Sequence, residues 1–216
     1  MDNLLLVDFI QHYRLNITTP VIISDSTNAR YFELKDDNHL IYYNKNEGTA
    51  AYINNSDYRL KVVNYEAFIK NLPQAFKQNR GVCDLIVFTT EKLKYFLLNE
   101  LTDTLPQYVV DFTSTSGARI GKRKKAISQL LSTLETLIAV LSIKSFINTF
   151  AVRECIFFNK QATPPQTTNG FTITATASFN RVNMLTQNGF KMSYPDIEEL
   201  GFELIEYSGL KPVTIV

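Results

Sequence analysis

The feature that most constrains the fold is a stretch, residues 150–158, that is apolar on both faces. It carries charge only at Arg153 and Glu154, and a strand with two apolar faces belongs in the interior of a sheet. The segment before it repeats apolar residues at the i, i+3, i+4, i+7 spacing of a long amphipathic helix. These residues are Ile120, Ile127, Leu130, Leu131, Leu134, Leu137, Ile138 and Leu141. Together the two segments predict an α/β (mixed α+β) fold in which a long helix covers a mixed sheet.

Shorter elements are predicted on the N-terminal side of this pair. The first sixty residues alternate β-like runs with Asp- and Asn-rich breaks, which indicates a small β-meander. The runs are residues 21–23, 30–34, 40–43 and 50–53. A short helix is expected at residues 5–13. Asn64 is a candidate N-cap for a second helix, which Pro73 kinks or restarts.

The chain of 216 residues is predicted to be a single domain, 1–216. Domains commonly have about 50–250 residues, and the hydrophobic fraction of 45% and charged fraction of 20% are those of a globular protein. No internal repeat or long linker divides the chain. The expected parts are a β-meander extension at 1–60, a core at 64–158 and C-terminal strands within 171–216 that complete the sheet. Those strands are expected at residues 171–179, 202–207 and 212–216.

Composition and missing motifs exclude several classes of function. The net charge of +1 gives no global field toward nucleic acid or membrane, so recognition of an anion must be local. CxxC, HExxH, GxSxG, GxGxxG and GxxxxGK[ST] are absent, which disfavours zinc sites, serine triads and nucleotide loops. Cys83 and Cys155 lie in apolar runs, as buried thiols in a reducing compartment do. No signal peptide and no apolar run of ~20 residues is found, so we expect a cytoplasmic protein without a membrane segment.

Two acidic residues at the edges of apolar strands are the leading candidates for chemistry. Residues 82–88 and 93–101 predict a hairpin, and a turn centred on Glu91-Lys92 pairs residues whose numbers sum to about 183. Asp84 then lies across from about Asn99, with Glu100 one step away. Neighbouring strands are ~4.8 Å apart and Mg²⁺ binds oxygens at ~2.1 Å, so one cation could bridge both acids. The alternative is that each acid marks a strand end and points to water.

The order of elements resembles the core of the PD-(D/E)XK, or restriction-endonuclease-like, nuclease superfamily. A helix, a strand with Asp84, a strand ending in Glu100, a long helix and a central strand follow one another over roughly residues 64–158. The resemblance implies that Asp84 and Glu100 coordinate Mg²⁺ (or Mn²⁺) and that a Lys two residues after the Glu helps to activate water. Thr102 stands at that lysine position, where it supplies no positive charge.

A basic run at the predicted start of the long helix is the candidate phosphate site. It contains Arg119, Lys122, Arg123, Lys124 and Lys125. A helix macrodipole disfavours cations at this end, which makes more sense if an anion such as DNA phosphate binds there. At about 100° per residue, Arg123 and Lys124 lie nearest the apolar stripe, so either could replace the missing lysine. A solvated basic turn is the alternative.

Other acids rank lower as candidates. Glu66, on the helix before the hairpin, could add a third carboxylate, although a Glu in a first helical turn also simply suits the dipole. Asp103 and Asp111 are nearby acids of low rank. A further short strand is expected at residues 108–110.

The leading hypothesis is a Mg²⁺-dependent endonuclease that hydrolyses phosphodiester bonds of nucleic acid, with DNA the preferred substrate. The runner-up is an inactive protein of the same fold that serves as a nucleic-acid-binding or protein-assembly subunit, which Thr102 and the near-neutral charge favour. An unrelated α/β scaffold is the third possibility. The sequence leaves a protein partner or a homo-oligomer open.

Overall fold

The computed structural model describes residues 1–37, 39–105, 108–114, 117–160, 189–209 and 211–216. Its strands are β1 Ile23–Thr27, β2 Tyr31–Leu34, β3 Ile41–Tyr42, β4 Ala50–Asn54, β5 Leu60–Asn64, β6 Leu85–Thr89, β7 Tyr95–Thr102, β8 Phe112–Ser114, β9 Gly117–Arg119, β10 Val152–Asn159, β11 Phe190–Met192, β12 Glu203–Ser208 and β13 Pro212–Ile215. Its helices are α1 (a π-helix over Leu4–Phe9 that ends in an α-turn over Ile10–His12), α2 Tyr65–Lys70, α3 Gln74–Lys77, α4 Lys122–Ile138, α5 Leu141–Ile147 and α6 Pro195–Glu199.

A seven-stranded mixed sheet forms the centre of the fold, in the order β1-β5-β6-β7-β10-β12-β11. The strands from β1 to β7 pair antiparallel, whereas β10 runs parallel to both β7 and β12. The predicted central strand is therefore confirmed. Its two faces are buried in different layers, because Cys155 packs on the helical side and Ile156 and Phe158 pack on the other.

Helices cover one face of this sheet. Along α4, Leu130, Leu134 and Leu137 are fully buried against it. The predicted stripe was too long at both ends, since Ile120 and Leu141 are exposed. Ile120 precedes α4, which begins at Lys122, and Leu141 follows the end of α4 at Ile138, where the chain bends by 113° into α5.

A four-stranded sheet, in the order β13-β4-β2-β3, covers the opposite face. Phe32 and Tyr52 stack with ring centroids 5.1 Å apart, and Tyr52 reaches Phe158 of the central sheet at 5.9 Å. The prediction of one N-terminal meander is wrong in part. Strand β1 lies in the central sheet, where it pairs with β5, a strand that was not predicted. The C-terminal β13 joins the small sheet, parallel to β4.

The remaining predicted elements have mixed outcomes. Strands β12 and β13 confirm the last two predicted strands, whereas the strand expected at residues 171–179 lies outside the described residues. The strand expected at 108–110 is wrong, because that segment forms a turn that packs Val109 against Ala126 and Phe157. Within the described ranges no single helix is long and apolar enough to cross a membrane; α4 and α5 together match such a span only as a bent pair, by length and composition.

A candidate metal centre flanked by lysines

Asp84 and Glu100 lie at the same end of the β6–β7 hairpin. The ladder pairs Leu85 with Asn99, which is one residue from the predicted register, and the Asp84 N–H also donates to the Asn99 carbonyl at 3.1 Å. Asp84 therefore lies just before the ladder and across from Asn99, as predicted, and Glu100 is the next residue of β7. Both acids point to the helical side and are buried, with 8% and 9% of their surface exposed.

Asp84 also meets two acids from other parts of the chain. Asp36 comes from the loop between β2 and β3, and Glu66 from the first turn of α2. One carboxylate oxygen from each of the three lies within 4.8 Å of the others. Oxygens bound at ~2.1 Å to one Mg²⁺ are at most about 4.2 Å apart, and at most about 5 Å around Ca²⁺. Small side-chain rotations therefore suffice for the three to hold a metal ion.

Asn64 joins these elements. Its side-chain oxygen accepts from the Ala67 N–H at 2.8 Å, which confirms it as the N-cap of α2, and its amide group donates to Asp36 at 3.1 Å. The first two N–H groups of α2, those of Tyr65 and Glu66, donate to the Asp84 carbonyl at 2.9 and 3.2 Å. One cap and one carbonyl thus place Asp36, Glu66 and Asp84 together.

We call Asp36, Glu66, Asp84 and Glu100 the acidic cluster. The pKa of Asp84 is raised to about 7, mainly by burial and in part by the nearby charges of Asp36 and Glu66, against a hydrogen bond from the Leu101 N–H at 2.6 Å. The pKa of Glu100 is raised to about 9, mainly by burial and in part by the charges of Asp84 and Glu66. Among the described residues, no hydrogen-bond partner is found for the buried Oε2 of Glu100. Burying charged oxygens without a partner is costly, so the cluster is a place where a cation would stabilise the fold.

Two lysines border the acidic cluster. Lys70 pairs with Glu66 one helical turn away and also acts on Asp36 and Asp84, and this pairing raises the pKa of Lys70. Lys122, the first residue of α4, lowers the pKa of Glu100 from the other side. Both positive charges come from helices that cover the sheet.

Arg123 and Lys124, the predicted substitutes for the missing lysine, pair with other carboxylates. Arg123 turns toward the sheet as its helical angle predicts, but its guanidinium donates twice at 2.9 Å to the buried Glu206. Glu206 lies beyond Phe157 in the same row as Glu100, two strands away. Lys124 is exposed and pairs with Asp111.

The other predicted phosphate-binding residues share one open cavity. Arg119, Lys122 and Lys125 line it together with Thr104, Tyr108 and Ile120, and its volume is about 650 Å³. The hydroxyl of Thr102, at the lysine position of the resemblance, lies 2.7 Å from that of Thr104. We call this cavity the α4 groove.

Asp36 and Lys70 were not predicted as site residues. Asp36 lies in a loop of the other sheet, and no local pattern links it to Asp84. The i, i+4 spacing of Glu66 and Lys70 is a visible signal, but it is common on any exposed helix.

Searches found no match to this chain among family models, curated proteins or solved structures.

Proposed function

We propose that this chain is a metal-dependent nuclease that hydrolyses phosphodiester bonds of nucleic acid, with DNA the preferred substrate. The observation that carries the proposal is the group of Asp36, Glu66 and Asp84, whose charges also act on Glu100, a residue with a buried carboxylate oxygen for which no hydrogen-bond partner is found among the described residues. When all four carboxylates are ionised, as metal binding requires, they exceed the ammonium groups of Lys70 and Lys122 by two negative charges, which one divalent cation would balance.

Asp36, Glu66 and Asp84 would hold Mg²⁺ or Mn²⁺, and Glu100 would complete the ligand set or accept a hydrogen bond from bound water. Such an ion lowers the pKa of bound water and stabilises the charge of the leaving oxygen. The exposure of the three ligands decreases from Asp36 at the rim through Glu66 to the buried Asp84.

Lys122 is the best candidate to replace the missing lysine. A lysine at position 102 would project from the same face of β7 as Glu100, because residues two apart in a strand share a face. Lys122 acts on Glu100 from α4 and lines the α4 groove beside Thr104. It could therefore stabilise the charge that develops on phosphate, a role that preorganised cations commonly fill.

The order of secondary-structure elements supports the resemblance to the PD-(D/E)XK superfamily. Helix α2, the Asp84 and Glu100 strands, the long α4 and the parallel β10 follow one another as that resemblance expects. The one departure, Thr102, favours a second candidate function. In that case the α4 groove binds nucleic acid and the chain cleaves nothing.

A cleavage assay with matched lysine variants tests the proposal. Labelled DNA and RNA are incubated with the parent, Asp84→Asn, Lys122→Ala and Lys124→Ala, in Mn²⁺ or in EDTA. We expect Mn²⁺-dependent cleavage that Asp84→Asn abolishes and that Lys122→Ala lowers by about 10²–10³. Lys124→Ala is the control, because this lysine lies in the same helical turn but pairs with Asp111.

Two other results would change the conclusion. Equal losses in Lys122→Ala and Lys124→Ala would remove the role assigned to Lys122. Binding of nucleic acid without cleavage in any metal would favour the inactive protein.

A further inference from the structure

The α4 groove is lined by basic and by apolar side chains. Arg119, Lys122 and Lys125 give it positive charge. Tyr108 and Ile120 give it an apolar wall, and 41% and 60% of their surfaces are exposed. Large exposed apolar side chains gathered beside cations are typical of a binding surface.

The apolar wall suits a base and the cations suit phosphate. In a duplex the flat faces of the bases are stacked on one another, so a protein reaches only base edges and backbone. In a single strand the faces are accessible, and aromatic side chains stack on them while basic residues follow the backbone. The volume of about 650 Å³ lies within the ~300–1,000 Å³ of common ligand pockets.

The groove also lies next to the acidic cluster. Lys122 lines the groove and acts on Glu100, and Thr104 in its wall follows Glu100 on the same chain segment. A nucleotide held in the groove would therefore place a neighbouring phosphate near the candidate metal centre.

We propose that the α4 groove takes an unstacked base of a single-stranded nucleic acid, with Tyr108 against the base and Lys122 and Lys125 on the flanking phosphates. This inference rests on the proposed function and deepens it by naming the strandedness of the substrate. Duplex DNA presents its phosphates to the groove but leaves Tyr108 without a base face.

Binding measured without metal tests this inference apart from cleavage. Fluorescence anisotropy in EDTA compares a labelled single-stranded oligonucleotide with the duplex of the same sequence. We expect the parent to bind the single strand about ten-fold tighter or more. Tyr108→Ala should lose roughly ten-fold in affinity for the single strand, because an aromatic platform contributes about that much per base. Binding of duplex should change little.

Two variants serve as controls for this experiment. Tyr108→Phe keeps the ring and should bind like the parent, provided that its melting curve is unchanged. Tyr43→Ala removes an exposed tyrosine near β3 and should leave binding unchanged. Equal affinity for single strand and duplex, or no effect of Tyr108→Ala, would overturn the inference. A protein that cleaves duplex with Tyr108→Ala fully active would overturn it too and leave the proposed nuclease function standing. Loss of cleavage alone, with the single-strand preference kept, would count against the nuclease and support the groove.

Discussion

Asp84→Asn should stabilise the metal-free protein. Of the three proposed metal ligands, Asp36, Glu66 and Asp84, only Asp84 is buried. The raised pKa of Asp84 means that the folded state holds this proton more tightly than the unfolded chain does. Folding stability therefore falls as pH rises from about 4, the ordinary pKa of Asp, to about 7, and the cost is fully present above that pH. Asparagine has no such cost and still offers an oxygen to the Leu101 N–H.

The size of the effect follows from the pKa of Asp84. A rise from about 4 to about 7 spans about three pH units, and each unit corresponds to about 1.36 kcal/mol, so the ceiling is about 4 kcal/mol. Relaxation around buried charges lowers such values, and we expect a gain of about 1–2 kcal/mol at pH 8. For a chain of this length that raises Tm by about 2–8 °C.

Thermal melts in EDTA at pH 5, 6.5 and 8 measure the effect. The difference between Asp84→Asn and the parent should grow with pH and nearly vanish near pH 4. Asp103→Asn, an exposed acid just beyond β7, is the control and should change Tm little at any pH. A variant that is less stable than the parent at pH 8, or a difference independent of pH, would refute the reasoning.

Three further predictions concern the metal, the cap and the Arg123 pair. Mg²⁺ or Mn²⁺ at 100 times its Kd at pH 8 should stabilise the parent by about 2.7 kcal/mol and leave Asp84→Asn unchanged. The same metal concentration should stabilise the parent less at pH 6, because protons compete with the metal for the carboxylates. Equal gains in both proteins, measured by melting, would place the ion elsewhere. Asn64→Ala should lower the free energy of unfolding by about 0.5–2 kcal/mol, because α2 loses its N-cap. It should also weaken metal binding, measured by calorimetry, because Asp36 loses its hydrogen bond to Asn64. Unchanged metal affinity would show that this hydrogen bond does not position Asp36 for the metal. Arg123→Ala should lower the free energy of unfolding by about 3–5 kcal/mol, measured with denaturant, because it leaves Glu206 buried and unpaired. Adding Glu206→Gln to this variant should restore part of the lost stability. An Arg123→Ala variant with parental stability and no cleavage would instead make Arg123 catalytic.

Local patterns in the sequence were enough to predict the core. The β6–β7 hairpin, α4, β10 and the Asn64 cap each depend on spacing within a short segment, where periodicity and turn chemistry decide the structure. The hairpin register was wrong by one residue because the position of a turn within a polar run is weakly fixed by its sequence.

The partners of the site residues depend on tertiary packing, which no local pattern carries. Asp36 reaches Asp84 because the four-stranded sheet packs on the central sheet. Asn64 also caps α2 and donates a hydrogen bond to Asp36, which ties the Asp36 loop to that helix. The helical angle correctly turned Arg123 toward the sheet, but it could not show that Glu206 lies in its path. The helical angle favoured Arg123 and Lys124 over Lys122, whose approach to Glu100 depends on where α4 begins relative to β7.

The central claim is that the acidic cluster binds a divalent cation, and a crystal soaked in Mn²⁺ tests it most directly. We predict one anomalous difference peak at coordination distance, about 2.1 Å for an ion of the size of Mg²⁺, from carboxylate oxygens of Asp84 and of Glu66 or Asp36. Glu100 should contact the ion or its bound water, and Asp84→Asn crystals should lose the peak. Carboxylates that stay apart with no peak between them, or a peak only at exposed acids elsewhere, would contradict the account.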